Sequence, residues 1–220
     1  MLFCHITTRI EDQKYSKLLG QKGGRGFPHI VAMDASGNVL AKHKGPRNAD
    51  GFKSTMEQGA ETKVELATLK KKAKKDKNAA IELFEKRLGL GHLTAAQARK
   101  HAKTLDIDSL DADRAKEIKG LLAGMEFGEI MAGVTRDKKT QVAAGKKCAA
   151  MIKAGRIPSD RSASMNFWYF TSIYAEKAKD ADLYGKAVAF FKDAKGIRPQ
   201  FVKQLEATLE KLKKGGGTSK

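Results

Sequence analysis

Cysteine and proline are scarce in this 220-residue chain, with two of the first and four of the second. Cys4 and Cys148 lie far apart and belong to no CxxC pair, which excludes a disulfide framework and a structural zinc site and leaves room for one bridge at most. Long apolar runs are lacking too. No stretch reaches the ~18 consecutive apolar residues of a membrane span, and Met1-Leu2-Phe3-Cys4-His5 has no basic start followed by an apolar run of signal-peptide length. The chain is therefore expected to avoid membranes and the secretory route, with the cytoplasm as its compartment. Acidic residues are outnumbered, 25 Asp+Glu against 43 Lys+Arg, for a net charge of +18. An apolar content of 41% is enough for a real core and excludes disorder throughout. At roughly 100–200 residues per domain the length fits one or two domains.

The excess charge suggests nucleic acid, but its make-up points elsewhere. Residues 1–59 carry +4 and residues 60–220 carry +14, and 33 of the basic residues are Lys against 10 Arg. Base and phosphate recognition favours the flat, bidentate fork of Arg, so lysine on solvated helix faces explains the balance at least as well. The best nucleic-acid candidate is the cluster Lys70-Lys71-Lys72, Lys74-Lys75 and Lys77. It extends over more than one helical turn and so surrounds the helix, which favours a solvated or linker role over a single binding face.

No cofactor, metal or catalytic residue is assigned. His5, His29, His43, His92 and His101 are scattered, without partners at metal-ligand spacing, and His92 and His101 read as solvated helix positions. The run Gly23-Gly24-Arg25-Gly26 offers backbone N–H groups to an anion, yet it lacks the Gly-x4-Gly-Lys-Ser/Thr pattern and reads better as a flexible approach to Pro28. No Gly-x-Ser-x-Gly nucleophile motif is present.

The chain divides near residue 59. Before it, glycine- and proline-rich turns separate short apolar runs; after it, only Pro158 and Pro199 interrupt long stretches of helical periodicity. Leu2–Ile6 is β-prone, and residues 11–20 suit a helix. His29–Met33 and Asn38–Lys42 flank Asp34-Ala35-Ser36-Gly37 as an antiparallel hairpin, and a helix should start near Asn48. Beyond residue 59, helices are predicted at about 60–75, 78–90, 94–104, 111–132, 136–154, 162–178, 181–195 and 198–214. Thr94 and Asp111 are the expected N-caps, and Gly91, Gly133, Gly155 and Gly196 the stops. Phe167, Trp168, Phe170, Thr171, Tyr174, Ala175 and Ala178 form a face too broad for a surface helix and are the expected core. Expected domains are 1–59, 60–214 and a frayed tail, 215–220.

Arg25-Gly26-Phe27-Pro28-His29-Ile30, followed by the hairpin and by Gly45, resembles the C-terminal half of a thioredoxin-like domain. The resemblance covers about residues 1–58. It implies a cis Phe27-Pro28 bond, with Gly26, Phe27, Pro28 and His29 as a substrate-positioning loop. The family's chemistry uses a CxxC at a helix N-terminus, which would lie upstream of the strand matching Leu2–Thr7 and is absent from this sequence. The family's central strand is missing with it. Three arrangements would accommodate that gap: a longer protein of which this is a piece, direct pairing of Leu2–Thr7 with the hairpin, or completion of the sheet by another chain. Cys4 and Cys148 are the candidate reactive thiols, though a buried hydrophobic role outweighs reactivity for both. The helical part is loosely similar to tetratricopeptide-type pairs, through Ala187, Phe191, Ala194 and Pro199. A thioredoxin-like domain followed by such helices also resembles an architecture of bacterial thioredoxin-family proteins.

The expected fold is thus α+β, a partial thioredoxin-like sheet followed by an all-α domain. The expected function is that of a non-catalytic thioredoxin-like protein with a helical protein-interaction domain and a protein partner. Thiol-disulfide exchange would be lost, or encoded upstream. The alternative is a basic nucleic-acid-binding helical protein.

Overall fold

The computed structural model describes residues 18–215, apart from Arg25. In order, its elements are α1 (Leu18–Gln21), β1 (Val31–Met33), β2 (Val39–Lys42), α2 (Ala49–Lys72), α3 (Lys77–Leu90), α4 (Ala95–Leu105), a 3-10 turn (Ile107–Ser109), α5 (Ala112–Met131), α6 (Lys138–Lys153), α7 (Arg161–Ala178), α8 (Ala181–Asp193) and α9 (Pro199–Gly215). Among the described residues the one sheet is the antiparallel pair β1–β2, so the fold is α+β and mostly helical. The strand expected over Leu2–Thr7, most of the helix expected over residues 11–20 and the tail from residue 216 lie outside the described residues. Gly215, expected in that tail, closes α9.

The chain separates into two units, Met1–Leu105 and Asp106–Lys220. The division expected at residue 59 falls inside α2, which runs unbroken where two helices, one from Asn48 and one from residue 60, were expected. Gly59 is there for close approach. A Cβ at this position would lie 3.0 Å from the Cβ of Ala32, so the absent side chain lets α2 settle onto the hairpin. The buried stripe of α2 is Thr55, Gly59, Thr62 and Leu69, at helical spacing but mostly without large apolar side chains.

In the first unit, β1 and β2 pair as Val31↔Lys42, Ala32↔Ala41 and Met33↔Val39, with a bulge between Ala32 and Met33. The connection is built by Asp34. Its carboxylate accepts from the backbone N–H of Ser36 and of Asn38 and from the Asn38 side-chain amide, each at 2.9 Å. These bonds, led by the Asn38 side chain, hold the Asp34 carboxyl below its ordinary range. Gly37 takes the left-handed position, φ 79°, that a turn closing such a hairpin requires. On the helical side Ala79, Ile81, Phe84 and Leu88 of α3 and Ala95, Ala98 and Ala102 of α4 are buried.

The second unit is all helical. Its core holds Phe127, Cys148, Met151, Phe167, Trp168, Phe170, Ala175, Tyr184, Ala187, Val188 and Phe191; of the face expected on α7, Phe167, Thr171 and Ala175 have zero exposure and Trp168 and Phe170 are buried, whereas Tyr174 is half-buried and Ala178, the last residue of the helix, is exposed. Aromatic rings make one continuous path: Phe127 to Phe167 at 5.6 Å, then Trp168, Phe190, Phe191 and Phe201, each step 5.2–5.7 Å between centroids. α6 packs tightly on α7. A Cβ on Gly145 would sit 2.1 Å from the Phe170 carbonyl oxygen.

The helix ends obey capping chemistry. Thr94 and Gln97 form a reciprocal capping box, Gln97 N–H donating to the Thr94 hydroxyl and Thr94 N–H to the Gln97 side chain. Asp111 accepts from Arg114 N–H. Gly91, with φ 75°, closes α3 in the left-handed conformation. Gly155 and Gly196 also have positive φ, but Gly133 does not, and α5 ends at Met131 through Ala132.

Candidate functional site

The loop expected to position substrate is a surface loop. The Phe27-Pro28 peptide is cis, as the resemblance implied. Gly26 and Pro28 are exposed, and Phe27 is 64% exposed. His29 is half-buried, and because a carbonyl can only accept, its Nε2 carries the hydrogen donated to Lys22 O at 3.0 Å. Two amides of the glycine run before the loop are already engaged. Gly23 N–H donates to Gly20 O and Gly24 N–H to Leu19 O, which consumes both amides in ending α1.

Cys4 lies outside the described residues. Cys148 belongs to the other unit, on α6, with zero exposure, and burial pushes its thiol up to about 12 against an ordinary 9.0. A thiol in this state is neither ionised nor reachable at neutral pH, so the reactive reading of Cys148 gives way to a packing role. Among the described residues no group of three or more His, Cys, Asp or Glu is placed to hold a metal ion.

The histidines do structural work that the sequence does not disclose. His92 is not a solvated helix residue. It follows Gly91 in the α3–α4 connection, half-buried, and its Nε2–H donates to Val39 O at 2.6 Å, tying the loop to β2. His43 is fixed by Thr55, whose hydroxyl donates to Gly51 O and so must accept from His43 Nδ1–H at 2.7 Å. The buried Nε2 of His43 is left as an acceptor without a hydrogen-bond partner. His101 is exposed on α4, with its ring 6.1 Å from that of Phe84.

Two surfaces stand out. One is the lysine cluster, spread over the last turn of α2, the connection and the first residue of α3. All six side chains are exposed, and none forms an ion pair among the described residues. Asp76, the one acid within the cluster, is used in capping α3 through the N–H groups of Asn78 and Ala79. Lys70, Lys71 and Lys72 also complement the negative end of α2.

The other is an open groove of about 600 Å³ between α7 and α9, beside the loop that joins α8 to α9. Its floor is apolar, formed by Met165, Phe191, Ile197 and Phe201, and Tyr169, 42% exposed, stands at its side. Asn166, Arg198, Gln200 and Gln204 complete the lining with polar groups. α9 is set against α8 by the core and by the Lys192–Glu206 ion pair at 2.8 Å, which raises the Lys192 ammonium. Pro199 starts α9 at the first helical position, where the missing N–H removes no intrahelical bond. Sequence periodicity assigns Phe167, Trp168 and Phe170 to the core but is silent on Tyr169, which points off that face. Among the described residues no helix is long and apolar enough to cross a membrane. Comparison with known proteins yields no match: no family model fits the chain, and no curated protein and no solved structure is similar to it.

Proposed function

We propose that this chain is a non-catalytic thioredoxin-like protein of the cytoplasm whose helical unit binds a protein partner through the α7–α9 groove. The observation that carries the reading is the groove itself, an apolar floor with an exposed Tyr169 and a rim of side-chain amides and Arg198. Concave apolar sites with a few convergent polar groups are the usual form of binding sites, and Tyr and Arg are the residue types that dominate interface energetics. The loop Gly26–His29, followed by the hairpin and α2, supports the thioredoxin-like part, and the burial of Cys148 removes it from thiol chemistry. A photo-crosslinking phenylalanine analogue at position 169, compared with the same probe at Lys146 on α6, tests the site. Discrete adducts from position 169 alone are expected, and equal labelling from both positions would sink it.

A second reading, nucleic-acid binding, draws on the six exposed lysines at the end of α2, in the connection and at the start of α3, which form no ion pair among the described residues. Retention on DNA or heparin that falls steeply with salt, and flattens when these lysines become Gln, is its signature, because each phosphate contact releases counterions.

A further inference from the structure

We infer that the α7–α9 groove selects acidic peptides, with carboxylate side chains flanking an apolar anchor residue. The inference rests on the protein-binding reading above and adds the chemical class of the partner. Its basis is a charge asymmetry. No carboxylate lines the groove, whereas cations gather at the end formed by the α8–α9 loop. Arg198 is part of the lining, and its guanidinium has no ion pair or hydrogen bond among the described residues. Arg161 reaches the same loop from the start of α7. Its Nη2 donates to Lys195 O and lies 3.4 Å from the place a Cβ would take on Gly196, itself a lining residue. That single bond occupies one of five donors and holds the guanidinium in place. Lys195 adds a third cation on the loop. Two guanidinium forks at one end of an apolar trough match carboxylates in geometry as well as charge.

The rest of the lining suits a peptide better than a nucleic acid. Asn166, Gln200 and Gln204 present both donors and acceptors, as an extended peptide backbone requires, and the floor accepts an aliphatic or aromatic side chain. The cations are gathered at one end, whereas a phosphate backbone calls for a positive track along the whole groove.

The full-length chain is titrated by fluorescence anisotropy against three short peptides sharing one Leu-Phe anchor, flanked by Asp/Glu, by Ser or by Lys, and against a single-stranded oligonucleotide. The variants are Tyr169→Ala, Arg198→Glu and, as a control for the overall positive charge, Lys146→Glu. Preference for the acidic peptide is expected at physiological salt, weakened about tenfold by Arg198→Glu, where attraction becomes repulsion, and by Tyr169→Ala, but not by Lys146→Glu. Equal loss with Lys146→Glu means non-specific attraction and overturns the inference. Equal binding of the acidic and Ser-flanked peptides, lost with Tyr169→Ala but not with Arg198→Glu, overturns the acidic class and keeps the groove. Tyr169-dependent binding of the oligonucleotide alone, or no peptide binding that depends on Tyr169, overturns both. Tyr169 is exposed and a glutamate before Pro199 suits a helix N-terminus, so the variants should fold, and circular dichroism verifies this.

Discussion

A thiol at zero exposure, in contact with the Thr171 hydroxyl of α7, is chemically a small hydrophobe. In a Cys4→Ser chain at pH 8, a thiol reagent should label nothing until denaturant is added and then one thiol per molecule. Fast labelling of the folded chain would contradict the burial. The same thiol predicts a pH dependence. Burial raises it to about 12 from 9.0, so the folded state favours the neutral form. The contribution is intact below pH 9. Between 9 and 12 the unfolded chain has released a proton that the folded chain keeps, so stability falls with rising pH, by about 1.4 kcal/mol per unit relative to Cys148→Ala. Urea unfolding of both chains at pH 8 and 10.5 measures it. His92 offers a second residue-scale test. His92→Ala leaves the Val39 carbonyl without its imidazole partner and should cost about 1–2 kcal/mol, with faster amide exchange confined to β2. Unchanged exchange there would remove His92 from its tethering role.

At the scale of elements, glycine behaves in two ways that composition alone does not separate. Gly91 is a stop signal and is visible as one, because a left-handed residue must follow α3. Gly59 and Gly145 are close-approach glycines within helices, and neither interrupts its helix. The change from glycine- and proline-rich turns to helical periodicity near residue 59 therefore falls inside α2 and not at an end of it. Gly145→Ala should destabilise the helical unit by about 2–3 kcal/mol, at the upper end for overpacking, because its methyl meets backbone rather than a flexible side chain. Thermal denaturation checks this, with Gly155→Ala, in open space but at φ 69°, as the purely conformational comparison. The helices of the second unit were legible because their apolar positions repeat at helical spacing and their ends carry Asp, Thr and Gly caps. The stripe Thr55-Gly59-Thr62 was not, since it buries small groups that hydropathy does not register.

For the whole molecule, the two units differ in how much the sequence discloses. The hairpin and its preceding loop could be read from turn chemistry, with Asp34 and Gly37 in the positions the turn demands. Because the sequence lacks the CxxC that the thioredoxin-like family uses, no turnover is expected in an insulin-reduction assay with dithiothreitol. Turnover that vanishes with Cys4→Ser or Cys148→Ser would refute the non-catalytic reading. The charge of +18 resolves into exposed lysines, densest at the α2–α3 connection, and a smaller group of cations at one end of the groove.

Local sequence by itself determined the fold class, nearly every helix of the second unit, the hairpin and the aromatic core of α7, because periodicity, caps and turn residues act over a few positions. The tertiary structure alone decided the rest. It joined α2 across residue 59, buried Cys148, brought His92 to β2 and placed Tyr169 and Arg198 along one groove. Each of these depends on which distant backbone a residue meets, and side chains far apart in sequence carry no mark of that until the helices have packed.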